Sequence, residues 1–207
     1  MREIKLLKSW YIYKDFFPMD VKTLTIDRSR EWTVDDFLQL EESNTPCELI
    51  NGELVMSPAP TPHHQNVLGN LYFILKKEAG RIGGAIFFSP IDLYIDRKNV
   101  FQSDLVFISA EKRSIITERG IEGVPDLIVE IISPPNIFTD RNRKKKVYQQ
   151  IGVREYWIVD PANHTLEIYR HDQADADTPH LYLVKEGVVS SSILSEVKFD
   201  LKEIFTF

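Results

Sequence analysis

Two carboxylates stand inside segments that otherwise read as buried strand. Glu130 interrupts Leu127-Ile128-Val129-Glu130-Ile131-Ile132. A parallel strand covered on both faces reads as a continuous apolar run. A buried carboxylate is costly unless it is paired or holds a metal. Alternation puts Ile128, Glu130 and Ile132 on one face. Asp104 repeats the anomaly within Val100–Ile108, sharing a face with Val106 and Ile108. Each alone has a plain explanation: Glu130 salt-bridged to an Arg or Lys, Asp104 partly solvated at a strand entry. As a pair they suggest more. Neighbouring strands lie about 4.8 Å apart, so side-by-side carboxylates can share a divalent cation, with oxygens at about 2.1 Å for magnesium. Without a cation they repel, and one pKa rises.

A basic run supplies the opposite charge. Between positions 134 and 154, Arg141, Arg143, Lys144, Lys145, Lys146 and Arg154 face the single Asp140. A solvated helix face is the plain reading of Arg143, Lys145 and Lys146; a stripe tracking a phosphate backbone is the other. Lys144 differs. It lies three and four residues before the apolar Val147 and Tyr148, on their side of the helix. The pattern places it in the first turn, where a cation opposes the helix dipole, so it should answer an anion. Glu48, within Cys47-Glu48-Leu49-Ile50, and His64, four residues before Leu68, are candidate outer ligands or orienting groups. An edge-strand charge and a cap-region histidine are their plain readings. Asp126 shares Glu130's strand face and is either a further ligand or a turn cap. Asp92 and Asp96 read as surface positions. No GxSxG elbow, glycine-rich phosphate loop or HExxH is present.

The elements that must position these groups can be read from local pattern. Thr33 with Asp36 predicts an N-cap for a short helix over 33–42. Asn51-Gly52 predicts a hairpin joining Cys47–Ile50 to Glu53–Met56. Val67, Leu68, Leu71, Ile74 and Leu75 give one apolar stripe to a helix over 63–79. Ala85–Ile95, Val100–Ile108 and Leu127–Ile132 are β-rich runs. A helix over 140–151, capped by Thr139 or Asp140 and closed by Gly152, precedes a strand at Glu155–Val159. Strand, helix and strand in that order make a βαβ crossover with parallel pairing. Strands at Leu166–Arg170 and Leu181–Lys185 and a short tail helix near 201–207 complete the reading. The class is α/β (α+β) with a mixed sheet.

Composition bounds the rest. At 207 residues the chain is one domain with extensions. We read residues 1–30 as an N-terminal extension, with Met19 an alternative start, and 31–207 as a single domain. Twenty-five Lys and Arg against 31 Asp and Glu give a net charge of −6, which excludes a basic coat. Cys47 is the one cysteine, so an internal disulfide and a CxxC site are excluded, and its thiol reads as inert. No apolar run approaches the roughly 20 residues that span a bilayer, and no leader pattern opens the chain. A cytoplasmic location without membrane contact is the expectation.

Several segments together resemble one family. They are Glu48-Leu-Ile-Asn-Gly-Glu-Leu, His64-Gln65, Ser103-Asp104-Leu-Val, Val129-Glu130-Ile-Ile-Ser-Pro134, and Asp140 through Lys144 and Tyr148 to Gly152-Val-Arg-Glu-Tyr-Trp-Ile-Val-Asp-Pro161. They are similar to the Uma2 (DUF820) family of the PD-(D/E)XK, restriction-endonuclease-like superfamily, over about 31–207. The resemblance implies a restriction-endonuclease-like mixed β-sheet core with flanking helices and an added β-hairpin. It implies a metal-dependent endonuclease acting on nucleic acid, DNA by expectation, with Mg²⁺ or Mn²⁺; the superfamily often works as dimers, so a homodimer is a possible assembly. Asp104 falls at the "PD" aspartate, Glu130 at the "(D/E)" and Glu48 at the hairpin glutamate. Asp104 and Glu130 would hold the metal, and Glu48, Asp104, Glu130 and Lys144 would form the catalytic set. His64 would be auxiliary, and Arg141, Arg143, Lys145 and Lys146 would contact nucleic acid. Ser103 replaces the usual proline. Ile132 occupies the lysine position of ExK, and the family pattern places a lysine on the following helix, where Lys144 falls. The alternative is a non-catalytic nucleic-acid-binding or assembly protein of the same fold. A small phosphate-ester hydrolase is disfavoured by the basic stripe.

Overall fold

The computed structural model describes residues 30–40, 46–133, 137–170 and 177–207. The expected N-terminal extension and the end of the first helix lie outside these, and residues 32–207 form one unit. In chain order the elements begin with α1 (Val34–Phe37), β1 (Cys47–Ile50), β2 (Glu53–Met56), α2 (Pro62–Arg81) and β3 (Ala85–Phe88). Next come β4 (Leu93–Asp96), β5 (Asn99–Phe101), β6 (Leu105–Ile108), a 3₁₀ turn over Ala110–Ile115, β7 (Ile121–Glu122) and β8 (Leu127–Ile131). A π-helical segment over Thr139–Lys144 leads into α3 (Lys145–Ile151), then β9 (Glu155–Asp160) and β10 (Thr165–Arg170). The chain ends with β11 (Leu181–Val184), β12 (Val188–Ser190), β13 (Lys198–Asp200) and α4 (Lys202–Phe205).

The strands form a six-stranded sheet, β11-β10-β9-β8-β6-β3, a five-stranded sheet, β2-β1-β5-β4-β7, and the β12-β13 pair. β8 and β9 are parallel, as the crossover requires, while β6 runs antiparallel to β8 with Leu105 opposite Val129. Alternation on β8 divides the interior. Leu127, Val129 and Ile131 pack with Val67, Leu71 and Leu75 of α2. Ile128 and Ile132 face the other way, toward Val147 and Tyr148 of α3 and Ile50 and Phe101 of the smaller sheet.

Local chemistry accounts for the element ends. Thr33 and Asp36 make a reciprocal capping box. The β1–β2 turn puts Asn51 at φ 51° and Gly52 at φ 76°, the conformation that favours Asn-Gly. Thr61 caps α2 and Pro62 opens it. Gly152 closes α3 in the left-handed region.

Three expectations are corrected. The run over 100–108 is two strands in different sheets, and Asp104 lies on the bridge between them, before β6. The run over 85–95 divides in the same way, at the cis Ser89–Pro90 bond. The chain is already helical at 137, ahead of the expected caps, and neither Thr139 nor Asp140 caps the helix carrying Lys144. Lys144 therefore lies beyond the first turn, and its pairing comes from side chains rather than from the helix dipole.

Candidate active site

The C-terminal end of β8 is where the acids gather. Glu130 has an apolar strand on each side of it, and its buried Oε1 accepts a hydrogen bond from the Tyr148 hydroxyl at 2.9 Å. Ser103 Oγ lies 2.8 Å from the same hydroxyl. Lys144 Nζ is 3.2 Å from Glu130 Oε1, 2.9 Å from Glu48 Oε1 and 3.3 Å from Asp140 Oδ1. Glu48 is delivered by β1 and fixed by the Gln102 amide, which donates to its Oε1 at 2.8 Å. Asp104 precedes β6, and its Oδ2 accepts from the Ile131 amide at 2.7 Å. His64, in the first turn of α2, places Nε2 3.3 Å from that same oxygen.

Electrostatics follow from burial. Lys144 is 3 % exposed. Burial alone would lower its pKa, but Glu130, Glu48 and Asp140 outweigh this and hold it well above the ordinary lysine value. Burial pushes Glu130 well above the carboxylate range, with Lys144 pulling back and Asp140, Asp104 and Glu48 pushing further. Burial likewise raises Asp140, to about 6, against the pull of Lys144. For His64, burial works downward, yet the Asp104 hydrogen bond and charge carry the net shift upward. Three carboxylates thus surround one ammonium, with a fourth bonded next door.

This donor set suits a hard divalent cation, which takes oxygen ligands and needs negative charge. His64 Nδ1 points to a missing partner: it is buried, and among the described residues it lacks a hydrogen bond of normal geometry. The acids are nevertheless spread around Lys144, and among the described residues no three of His, Cys, Asp and Glu are drawn together as a metal-holding cluster.

The structure brings Glu48, Asp104, Glu130, Lys144 and His64 into this one region. The basic run behaves differently. Arg141 pairs with buried Glu167. Arg143 reaches Glu53 at 2.9 Å and the Ile50 carbonyl at 3.0 Å. Lys145 is buried over the Tyr169 ring, 3.9 Å from its centroid. Lys146 alone of the four is exposed. Asp126 is not at the site; it is buried near the start of β8 between Lys112, at 3.1 Å, and Arg154, at 3.5 Å. Two members were missed from sequence, Asp140 and Tyr148. Both lie four residues from Lys144, so the face argument applied to Lys144 could have found them. Cys47 is half-buried, and burial with nearby Glu48 raises its thiol to about 11, in keeping with an inert side chain.

Residues 34–202 match the model of the Uma2 family, described as "Putative restriction endonuclease". The uncharacterized protein sll1609 of Synechocystis sp. (strain ATCC 27184 / PCC 6803 / Kazusa) is 28% identical over 141 residues, covering 67% of this chain and 80% of that protein. A crystal structure described as "a putative nuclease belonging to DUF820", from Anabaena variabilis ATCC 29413, aligns with a TM-score of 0.68 at 20% identity. It covers 84% of this chain and 97% of that one, and at this identity the likeness shows the fold. Among the described residues, no helix is long and apolar enough to cross a membrane.

Proposed function

The chain belongs to the Uma2 family, and from that premise we propose that it is a metal-dependent endonuclease cleaving phosphodiester bonds of nucleic acid, with DNA as the substrate. The observation that carries the reading is the convergence of Glu48, Glu130 and Asp140 on buried Lys144, with Asp104 bonded to the residue after Glu130. Asp104 and Glu130 would hold Mg²⁺ or Mn²⁺. When bound, such a cation polarises the scissile phosphate and lowers the pKa of the attacking water.

The other residues have distinct tasks. The Lys144 ammonium offers a preorganised positive charge to the phosphate as negative charge builds on its oxygens. Glu48 and Asp140 orient that ammonium. Tyr148 holds the Glu130 carboxylate, and His64 holds Asp104. Lys146 is the exposed cation on this helix available to a substrate phosphate.

A second reading, a non-catalytic protein of the same fold, draws on the internal pairing of Arg141, Arg143 and Lys145, which engages most of the positive charge of this basic run. Purified protein incubated with supercoiled plasmid, single-stranded DNA and RNA, each with Mg²⁺, Mn²⁺ or EDTA, separates the two. Cleavage that needs metal and is lost in Glu130→Gln supports the endonuclease. Intact nucleic acid under every condition supports the second reading.

A further inference from the structure

Lys144 stands where a cation belongs. Its three carboxylate partners differ in origin: Glu48 lies on β1 and Glu130 on β8, whereas Asp140 lies on the same helical stretch as the lysine, four residues earlier. Any shift of that stretch carries Lys144 and Asp140 together and separates both from the strand acids. The ammonium contacts Oε1 of Glu48 at 2.9 Å and Oε1 of Glu130 at 3.2 Å. A magnesium-sized ion would need such oxygens at about 2.1 Å. A divalent ion drawn to these carboxylates would sit within a few ångströms of the ammonium, and like charges that close repel strongly.

On the endonuclease reading above, we propose that Lys144 is the resident cation of this pocket. A divalent metal enters by displacing its ammonium from Glu48 and Glu130, and Asp140 keeps the displaced lysine beside the site as a positioning residue. Metal loading and release of the ammonium toward the phosphate are then one event. The acids are spread around Lys144 because it is their present counter-ion. The site is also kept from carrying several uncompensated buried charges while it waits for metal.

The test uses the full chain and Mn²⁺, without nucleic acid. Lys144→Gln keeps the length and the hydrogen-bonding end but removes the charge. Calorimetric titration should show Mn²⁺ binding about tenfold or more tighter than wild type, because the competing cation is gone and the acids are left uncompensated. The variant should also melt lower in EDTA and recover with Mn²⁺. Equal or weaker Mn²⁺ affinity would overturn the proposal. Wild type labelled at lysine Cε supplies a measurement that does not depend on the variant folding. The Lys144 resonance should move on saturation with Mg²⁺, and an unmoved resonance overturns displacement. Asp140→Asn should lower turnover while leaving Mn²⁺ and substrate affinity in place, with partial rescue by Asp140→Glu. Loss of Mn²⁺ affinity equal to that of Asp104→Asn would make Asp140 a ligand and overturn its role as anchor. Tightening in Lys144→Gln without cleavage by wild type would defeat the endonuclease reading alone; cleavage without tightening would defeat this inference alone.

Discussion

The Asp104 carboxylate accepts the backbone N–H of Ile131 at 2.7 Å. The β6–β8 ladder has its last pair at Leu105 and Val129, so this amide lies just beyond it. A side chain replaces the carbonyl that a longer β6 would have offered. That one contact ends the ladder and fixes Asp104 over the strand that carries Glu130. The Asp104 carboxylate is therefore tied directly to the backbone of the strand that carries Glu130.

Asp104→Asn should separate fold from chemistry. The amide oxygen can still accept from Ile131, so the melting temperature in EDTA should change little, in line with about 0.5 kcal/mol or less for a substitution that keeps its contacts. The rise in melting temperature produced by millimolar Mn²⁺ in wild type should disappear. Thermal melts with and without Mn²⁺ check this, and an Mn²⁺ response equal to that of wild type would remove Asp104 from the metal site.

Lys144→Ala should lower single-turnover cleavage by roughly 10²–10³, the range for removing one preorganised donor, with substrate affinity little changed. Rates are compared at saturating protein with those of Lys146→Ala, which should retain wild-type chemistry. Equal rates in both variants would reject Lys144 as a catalytic group.

Among the basic residues, two behaviours should separate. Arg141→Ala strips buried Glu167 of this cation, leaving the Tyr169 hydroxyl at 2.5 Å as its side-chain partner among the described residues, and should cost about 1–3 kcal/mol in urea denaturation. Lys146→Ala should leave stability alone and reduce the salt slope of DNA binding by about 1, one phosphate contact. An unchanged slope would return Lys146 to an ordinary solvated side chain.

Stability should rise on mild acidification. Burial lifts Asp140 to about 6, above the unfolded value of roughly 3.9. The folded chain then binds that proton more tightly than the unfolded one, so stability falls as pH rises between those values. Glu130 is raised as well, which acts in the same sense. His64, also raised, contributes stability below its ordinary value that is lost as pH climbs through its folded pKa. Urea midpoints in EDTA should increase from pH 7.5 to pH 5.5, and Asp140→Asn should flatten the trend. A midpoint that drops over this range contradicts the raised acids.

Sequence carried much of this architecture because its signals are local. The Asn51-Gly52 hairpin, the Thr33 capping box, the α2 stripe and the Gly152 terminus each depend on neighbouring residues. Glu130 was legible because a carboxylate inside an apolar strand is a conflict visible in one dimension. The bridge at Gln102-Ser103-Asp104 was not, since a chain that changes sheets can keep its apolar run. Asp140 looked like a cap because its place beside a helical pattern suited one; the chain is instead already helical at 137, which puts Asp140 inside the helix. Glu167 and Tyr169, which Arg141 and Lys145 meet, lie on β10, more than twenty residues away, and pairing at that range leaves no local mark.

Glu48 belongs to the five-stranded sheet and Glu130 to the six-stranded one, so the carboxylate cluster around Lys144 exists only while the two are docked. The ladders inside each sheet can persist when that docking fails, because neither depends on hydrogen bonds from the other. A partial opening that frees the smaller sheet would thus disarm the protein well before it unfolds. Native-state hydrogen exchange would register this as amides of β1 and β5 exchanging at a lower opening free energy than those of β8 and β9. Activity would then vanish with the first of these transitions, and the melting temperature would report only the second.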